Sequence, residues 1–133
     1  MSVRWYSVVV DCHDIVAQSR WWAEAIDWRI GYEDPNEVVL VPPHALDQTR
    51  SIPPLERGPG LVFVTVPESK QLKNRLHIDL APPGDADLDA EVGRLEALGA
   101  RRVDVGQDAA RVSWVVMADP EGNEFCVLSA RDD

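Results

Sequence analysis

The sequence predicts an α+β protein of two βαβββ modules forming a cupped mixed β-sheet. Two observations carry that reading. Both halves run in the order strand, helix, strand, strand, strand, and both repeat local residue detail at fixed offsets. Ala25-Ile26-Asp27-Trp28-Arg29 resembles Ala97-Leu98-Gly99-Ala100-Arg101 at an offset of 72. Pro59-Gly60-Leu61-Val62-Phe63-Val64 resembles Glu121-Gly122-Asn123-Glu124-Phe125-Cys126 at an offset of 62. A long proline-bearing insertion in the first half accounts for the difference. Residues 1–133 read as one domain, with module 1 over about residues 3–67 and module 2 over about 73–130.

Trp5 to Asp11 is a β-rich run centred on Val8-Val9-Val10. Asp14 is placed to cap a helix over Ile15 to Trp28, where Ile15, Ser19, Trp22 and Ile26 fall at helical spacing. Arg29 to Glu33 and Glu37 to Val41 read as two strands around the turn Asp34-Pro35-Asn36. Pro42 to Pro59 holds five prolines and His44 and reads as a long surface loop, of the kind that often borders a site. Gly60 to Val66 closes the first module as a strand.

In the second module Leu76 to Leu80 reads as a strand, and Pro82-Pro83-Gly84 breaks it. Asp85 or Asp87 caps a helix with the apolar stripe Leu88, Val92, Leu95 and Leu98, and Gly99 sits where a terminating glycine belongs. Arg101 to Val105, Arg111 to Met117 and Glu124 to Ser129 follow as strands. Asp119-Pro120-Glu121-Gly122-Asn123 makes the last turn.

Composition excludes several classes. The chain has 133 residues and 45% hydrophobic content, enough for a packed core. Its formal net charge of −10 repels phosphate backbones and anionic bilayers, so neither nucleic acid nor membrane is an expected partner. No apolar run is long enough for a membrane span, and Met1 to Trp5 lead directly into a strand pattern without an apolar leader. Cys12 and Cys126 form no CxxC pair. A cytoplasmic location with both thiols reduced is the expectation.

The helix of each module covers one sheet face and leaves the other open. Strand alternation puts Leu76, Ile78 and Leu80 under the second helix and His77, Asp79 and Ala81 on the open face. The same period sends Phe125 and Val127 to the helix, and Glu124, Cys126 and Leu128 to the open face. A concave face carrying His, Asp, Glu and Cys is the natural place for chemistry or ligand binding.

Asn74-Arg75-Leu76-His77-Ile78-Asp79-Leu80, the helix ending Leu95-Glu96-Ala97-Leu98-Gly99-Ala100, and Asp119-Pro120-Glu121-Gly122-Asn123-Glu124-Phe125-Cys126-Val127-Leu128 together resemble the vicinal oxygen chelate superfamily. The match is to its glyoxalase-like group, alongside bleomycin-resistance proteins. The resemblance spans nearly the whole chain and implies the glyoxalase/bleomycin-resistance/dioxygenase-type fold and a homodimer. It does not name a reaction, because the superfamily hosts isomerases, dioxygenases, epimerases, resistance enzymes and metal-free binders. Metal-dependent members carry four ligands on the first and last strands of the two repeats. Carried over, these positions are Ser7, Val64, His77 and Cys126. Only His77 keeps the usual ligand type, so the usual metal is not expected and no cofactor is implied. A rebuilt site would draw on Asp79, Glu124 or Asp11.

Single residues leave several roles open. His77 reads as a ligand, a general base, a hydrogen-bond donor to a bound molecule, or a histidine satisfied by a neighbour. Cys126 reads as small apolar filler, or as a nucleophile if His77 lowers its pKa. His13 reads as a surface residue. Adjacent Trp21 and Trp22 cannot both face one sheet squarely, so one is expected at a rim or subunit interface. Trp5 and Trp114 offer stacking platforms if they face the trough, which alternation alone does not decide. The function expected is binding of a small aromatic or cationic molecule through His77, Asp79, Cys126, Glu124, Asp11, Ser7 and Trp114, without metal. The alternative is a divalent-metal-dependent lyase, isomerase or dioxygenase of the glyoxalase type.

Overall fold

A computed structural model describes residues 3–84, 86–104 and 114–129. The chain divides into two compact units, Met1–Ser69 and Lys70–Asp133. Among the described residues each holds one α-helix and one four-stranded sheet.

The first unit contains β1 (Ser7–Cys12), α1 (Ile15–Ile26), β2 (Arg29–Asp34), β3 (Glu37–Val41) and β4 (Gly60–Thr65), in sheet order β1-β4-β3-β2. The second contains β5 (Asp79–Leu80), α2 (Leu88–Leu98), β6 (Arg101–Arg102), β7 (Trp114–Ala118) and β8 (Glu124–Leu128), in order β5-β8-β7-β6. Both sheets pair their first and last strands in parallel and the rest antiparallel. The repeated order of the sequence is therefore a repeated topology.

Local chemistry sets the element ends. The Asp14 carboxylate accepts from Ala17 N at 3.1 Å and opens α1. The helix stops at Ile26, short of the expected Trp28, because Asp27 turns left-handed at φ 54°. Gly99 does the same for α2 at φ 119°, and the two caps lie 72 residues apart, the offset the sequence shows. Asp87 caps α2, while Asp85 lies outside the described residues. The Asp119-to-Asn123 turn is built by its own residues. Asp119 is buried and its Oδ1 accepts from both Glu121 N and Asn123 N at 3.0 Å. Gly122 stands at φ +86°, where a Cβ would be strained.

In the first unit Val38, Leu40, Leu61, Phe63 and Cys12 are buried on one sheet face, and α1 packs on β3 and β4. Trp21 and Trp22 are both buried, edge to face with centroids 5.1 Å apart. This corrects the expectation that one of them reaches a rim or interface. In the second unit α2 packs on β6 and β8, with Val92, Leu95, Phe125, Met117 and Val127 buried.

Two further expectations, the start of β1 and the face of Leu76, are corrected. β1 starts at Ser7, so Trp5 precedes the strand and is exposed. The long surface loop expected over Pro42 to Pro59 carries two 3-10 turns, Pro43–Leu46 and Pro54–Glu56, with Ile52 buried between them. Leu76 is 89% exposed instead of lying under the helix, and β5 is only Asp79–Leu80. The parallel register that sets Asp79 against Cys126 would bring Leu76 beside Asn123, whose N–H already serves the turn. β6 ends at Arg102, and Val105 and Arg111 to Ser113 lie outside the described residues.

Candidate functional site

Two places gather chemistry, one in each unit. In the second, His77, Asp79 and Cys126 each bring one potential ligand atom, all within 4.8 Å of one another. Register explains the grouping. Asp79 and Cys126 are paired neighbours on parallel strands, so their side chains share a face, and His77 lies two residues before Asp79. Nδ1 of His77 stands 3.2 Å from Oδ1 of Asp79. Burial first, then the Asp79 charge and its hydrogen bond, pushes the Cys126 thiol up, with Lys73 pulling weakly the other way. That upward shift is toward the neutral thiol, opposite to the shift that activation by His77 would need.

The antiparallel register also decides the face of Trp114. It pairs with Leu128, and Val116 pairs with Cys126, so Trp114 shares the face of Cys126 and is 38% exposed.

Glu124 does not join this group. Its Oε2 takes Lys70 Nζ at 3.1 Å and Asn74 N at 3.0 Å, while Asn74 Nδ2 donates to Glu124 O at 3.2 Å. Burial alone would raise this carboxyl. The Asn74 N–H, its own backbone and Lys70 outweigh burial and hold it below the usual range. Glu124 is a clasp on the chain that leads to His77.

In the first unit, β1 pairs Ser7 with Gly60 and Asp11 with Val64. Ser7 and Val64 thus stand four residues apart along paired strands, about 13 Å, and cannot share an ion. Asp11, exposed, is the register equivalent of Asp79. Val9 is then the equivalent of His77, which corrects the assignment of Ser7 to that position.

Ser7 belongs instead to a cavity of about 520 Å³ in this unit. Its floor is one sheet face: Ser7, Gly60, Val62, Glu37, Val39 and Val41. Its rim is Arg4, Trp5 and Tyr6 before β1 and Pro54, Arg57, Gly58 and Pro59 of the proline loop. The guanidinium of Arg4 lies 5.4 Å from the Tyr6 ring centroid. Arg57 Nε donates to Ile52 O at 2.8 Å, and the Trp5 indole donates to Ser7 O at 3.2 Å. Gly60 N reaches Tyr6 O at 3.1 Å and joins the two rim segments to the sheet. Of the seven residues expected to bind ligand, Ser7 alone lines this cavity. His44 does not line it; its Nε2 stands 2.8 Å from Glu56 O and ties the two 3-10 turns together. His13 is exposed. Sequence reasoning missed Arg4, Tyr6 and Arg57; the proline loop was a signal for Arg57, and none pointed to Arg4 and Tyr6.

Neither cysteine forms a disulfide. No helix among the described residues is long and apolar enough to cross a membrane.

Comparison with known proteins gives the lineage. No curated protein matches the sequence. A glyoxalase/bleomycin resistance protein/dioxygenase family enzyme from Burkholderia phytofirmans PsJN superposes with TM-score 0.67 at 17% identity, over 97% of this chain and 100% of its own. The fosfomycin resistance protein FosX of Listeria monocytogenes superposes with TM-score 0.69 at 12% identity, over 99% of this chain and 94% of that one. Oxidase ChaP-H2 superposes with TM-score 0.62 at 15% identity, over 98% and 96%. At these identities the structures share a fold, and their chemistries differ from one another. The model of the glyoxalase-like domain matches residues 7–128, so the chain belongs to the glyoxalase-like family of the vicinal oxygen chelate superfamily.

Proposed function

We propose that this protein binds a small planar organic anion in the cavity of the first unit, without a metal. The cavity carries the reading. Its volume of about 520 Å³ lies in the range of small-molecule sites. Val39, Val41 and Val62 give it an apolar floor, and Trp5 and Tyr6 give it aromatic edges for a flat ring. Arg4 and Arg57 line the cavity with one Glu37, so the local balance favours an anionic group over the cationic ligand expected from the sequence.

Family members that use metals invite a test of fit. FosX of Listeria monocytogenes has been crystallised with Mn(II). Manganese is a hard ion that prefers oxygen donors. The group in the second unit offers one carboxylate, one imidazole and one thiol, a poor set for that ion. No step of the proposed binding passes through a metal.

Fluorescence titration with naphthoate tests the proposal, with naphthylmethylammonium as the cationic control and a chelator present throughout. Saturable quenching by naphthoate is expected, weakened about tenfold in Arg57→Gln, the loss of one charge-assisted contact. Trp5→Phe should reduce the quenching amplitude. Equal binding of both probes, or no effect of either on fluorescence or melting temperature, overturns it.

A further inference from the structure

The cavity of the first unit holds a carboxylate that a simple anion leaves unused. We infer that Glu37 selects the ligand: the cavity takes an aromatic monocarboxylate that carries a neutral hydrogen-bond donor, a hydroxyl or an aromatic amine, at the end away from its own carboxylate. This deepens the binding proposed above and rests on it.

Register sets the two ends of the cavity. Ser7 pairs with Gly60 at one end of β4, and Glu37 lies opposite Val64 toward the other. Four residues of extended strand separate Gly60 from Val64, about 13 Å. Arg57 stands three residues before Gly60 and Arg4 three before Ser7. The bond from Gly60 N to Tyr6 O ties both of these rim segments to the Gly60 end. Val39 and Val62, a register pair, make the apolar floor between the ends.

The acidic end has acceptor capacity to spare. Asp34 pairs with Glu37 across the strands, and its oxygens are both engaged. Oδ1 accepts from Asn36 N and Glu37 N at 2.8 Å, and Oδ2 accepts from the Tyr32 hydroxyl at 2.7 Å. The Glu37 carboxylate is half-buried, lines the cavity, and takes no hydrogen bond or ion pair among the described residues. Its charge is felt at Tyr32. The bond to Asp34, then the Asp34 charge, burial and the Glu37 charge hold that phenol above its ordinary range.

A ring laid on Val39 and Val62 strips water from Glu37. A ligand that offers no donor there leaves the carboxylate dehydrated and unpaired, which works against binding. Charge balance sets the kind of donor. Arg4 and Arg57 bring two positive charges to the cavity, and Glu37 and the ligand carboxylate bring two negative ones. A neutral donor keeps that balance, and an ammonium group breaks it.

Calorimetric titration under chelation compares 6-hydroxy-2-naphthoate with 2-naphthoate and 6-methoxy-2-naphthoate. The hydroxy compound should bind about tenfold tighter than 2-naphthoate. The methoxy compound, which has no donor, should show no such gain. In Glu37→Leu the advantage of the hydroxyl should vanish. Arg57→Gln should weaken all three compounds and keep their ratios. The comparison of ligands on the parent protein needs no variant, so it decides the matter if Glu37→Leu does not fold. Equal affinity of the hydroxy and unsubstituted compounds, an equal gain from methoxy, or an advantage that survives in Glu37→Leu overturns the inference and leaves anion binding in place. Failure of all three to bind overturns the anion reading and this inference with it.

Discussion

Replacing Glu124 by Gln should destabilise the second unit, although Glu124 is not one of the His77 group that it was expected to join. The carboxylate, 14% exposed, accepts from the Asn74 amide at 3.0 Å and pairs with Lys70 at 3.1 Å. A hydrogen bond to a charged group contributes about 1.5–3 kcal/mol and a neutral one about 1. Glutamine keeps an oxygen for Asn74, so that contact loses roughly 1 kcal/mol. The ion pair is partly screened and adds about 0.5–1 kcal/mol. The expected cost is therefore about 1.5–2 kcal/mol, or a melting temperature lower by roughly 5–8 °C for a chain of this size.

The sign of the pH dependence follows from the depressed carboxyl of Glu124. The unfolded chain takes up this proton at a higher pH than the folded one. Stability from the clasp is complete above the ordinary glutamate range, near pH 4.3, and is lost as pH falls through the folded value. Urea unfolding at neutral pH and at about pH 4 should show the parent losing more stability than Glu124→Gln. A double cycle with Lys70→Met should be non-additive, because both changes remove one interaction. Amide exchange at Asn74 should accelerate in the variant. Equal stability of parent and variant at neutral pH, or equal acid slopes, would refute the clasp.

Two other outcomes are expected. Phe63 is fully buried on β4, so Phe63→Ala should cost about 3–5 kcal/mol in urea unfolding; a cost under 1 would mean that the first core does not depend on it. Burial and Asp79 hold the Cys126 thiol up, so in metal-free protein it should alkylate more slowly than a free thiol near pH 8, and faster in Asp79→Asn. Unchanged alkylation in that variant would remove Asp79 as a cause.

The parts of the fold legible in the sequence are those whose residues create their own backbone geometry. Asp119 and Gly122 build a turn by a double side-chain acceptor and a positive φ, and Asp14, Asp87 and Gly99 end helices the same way. These are local devices, so a single sequence displays them. Leu76 shows the opposite case. Its alternation with Ile78 and Leu80 is a sound strand signal, yet a strand needs a partner, and β8 begins too late to supply one. The adjacent tryptophans misled for a related reason. A T-shaped pair buries both rings without both lying flat on one sheet.

The candidate sites depend on register, which composition does not encode. Val8-Val9-Val10 is apolar at every position, so nothing in it says which face turns to the core or which residue of β4 each one meets. Choosing Ser7 over Val9 as the counterpart of His77 is a two-residue slip, invisible to alternation because both fall on the same face. The Asp79–Cys126 neighbourhood needed only one pairing, and a short parallel strand supplies it. The cavity needed more: a segment before β1 and a loop some fifty residues later must meet, through Gly60 N and Tyr6 O, before Arg4 and Arg57 border one space. A glycine at that junction fits the demand, since a Cβ on Gly60 would stand 3.3 Å from Leu40 O. The two sites therefore fail differently under mutation. The His77 group depends on one strand pair and its clasp. The cavity depends on loop closure over a sheet whose core can remain intact when the loop is loosened.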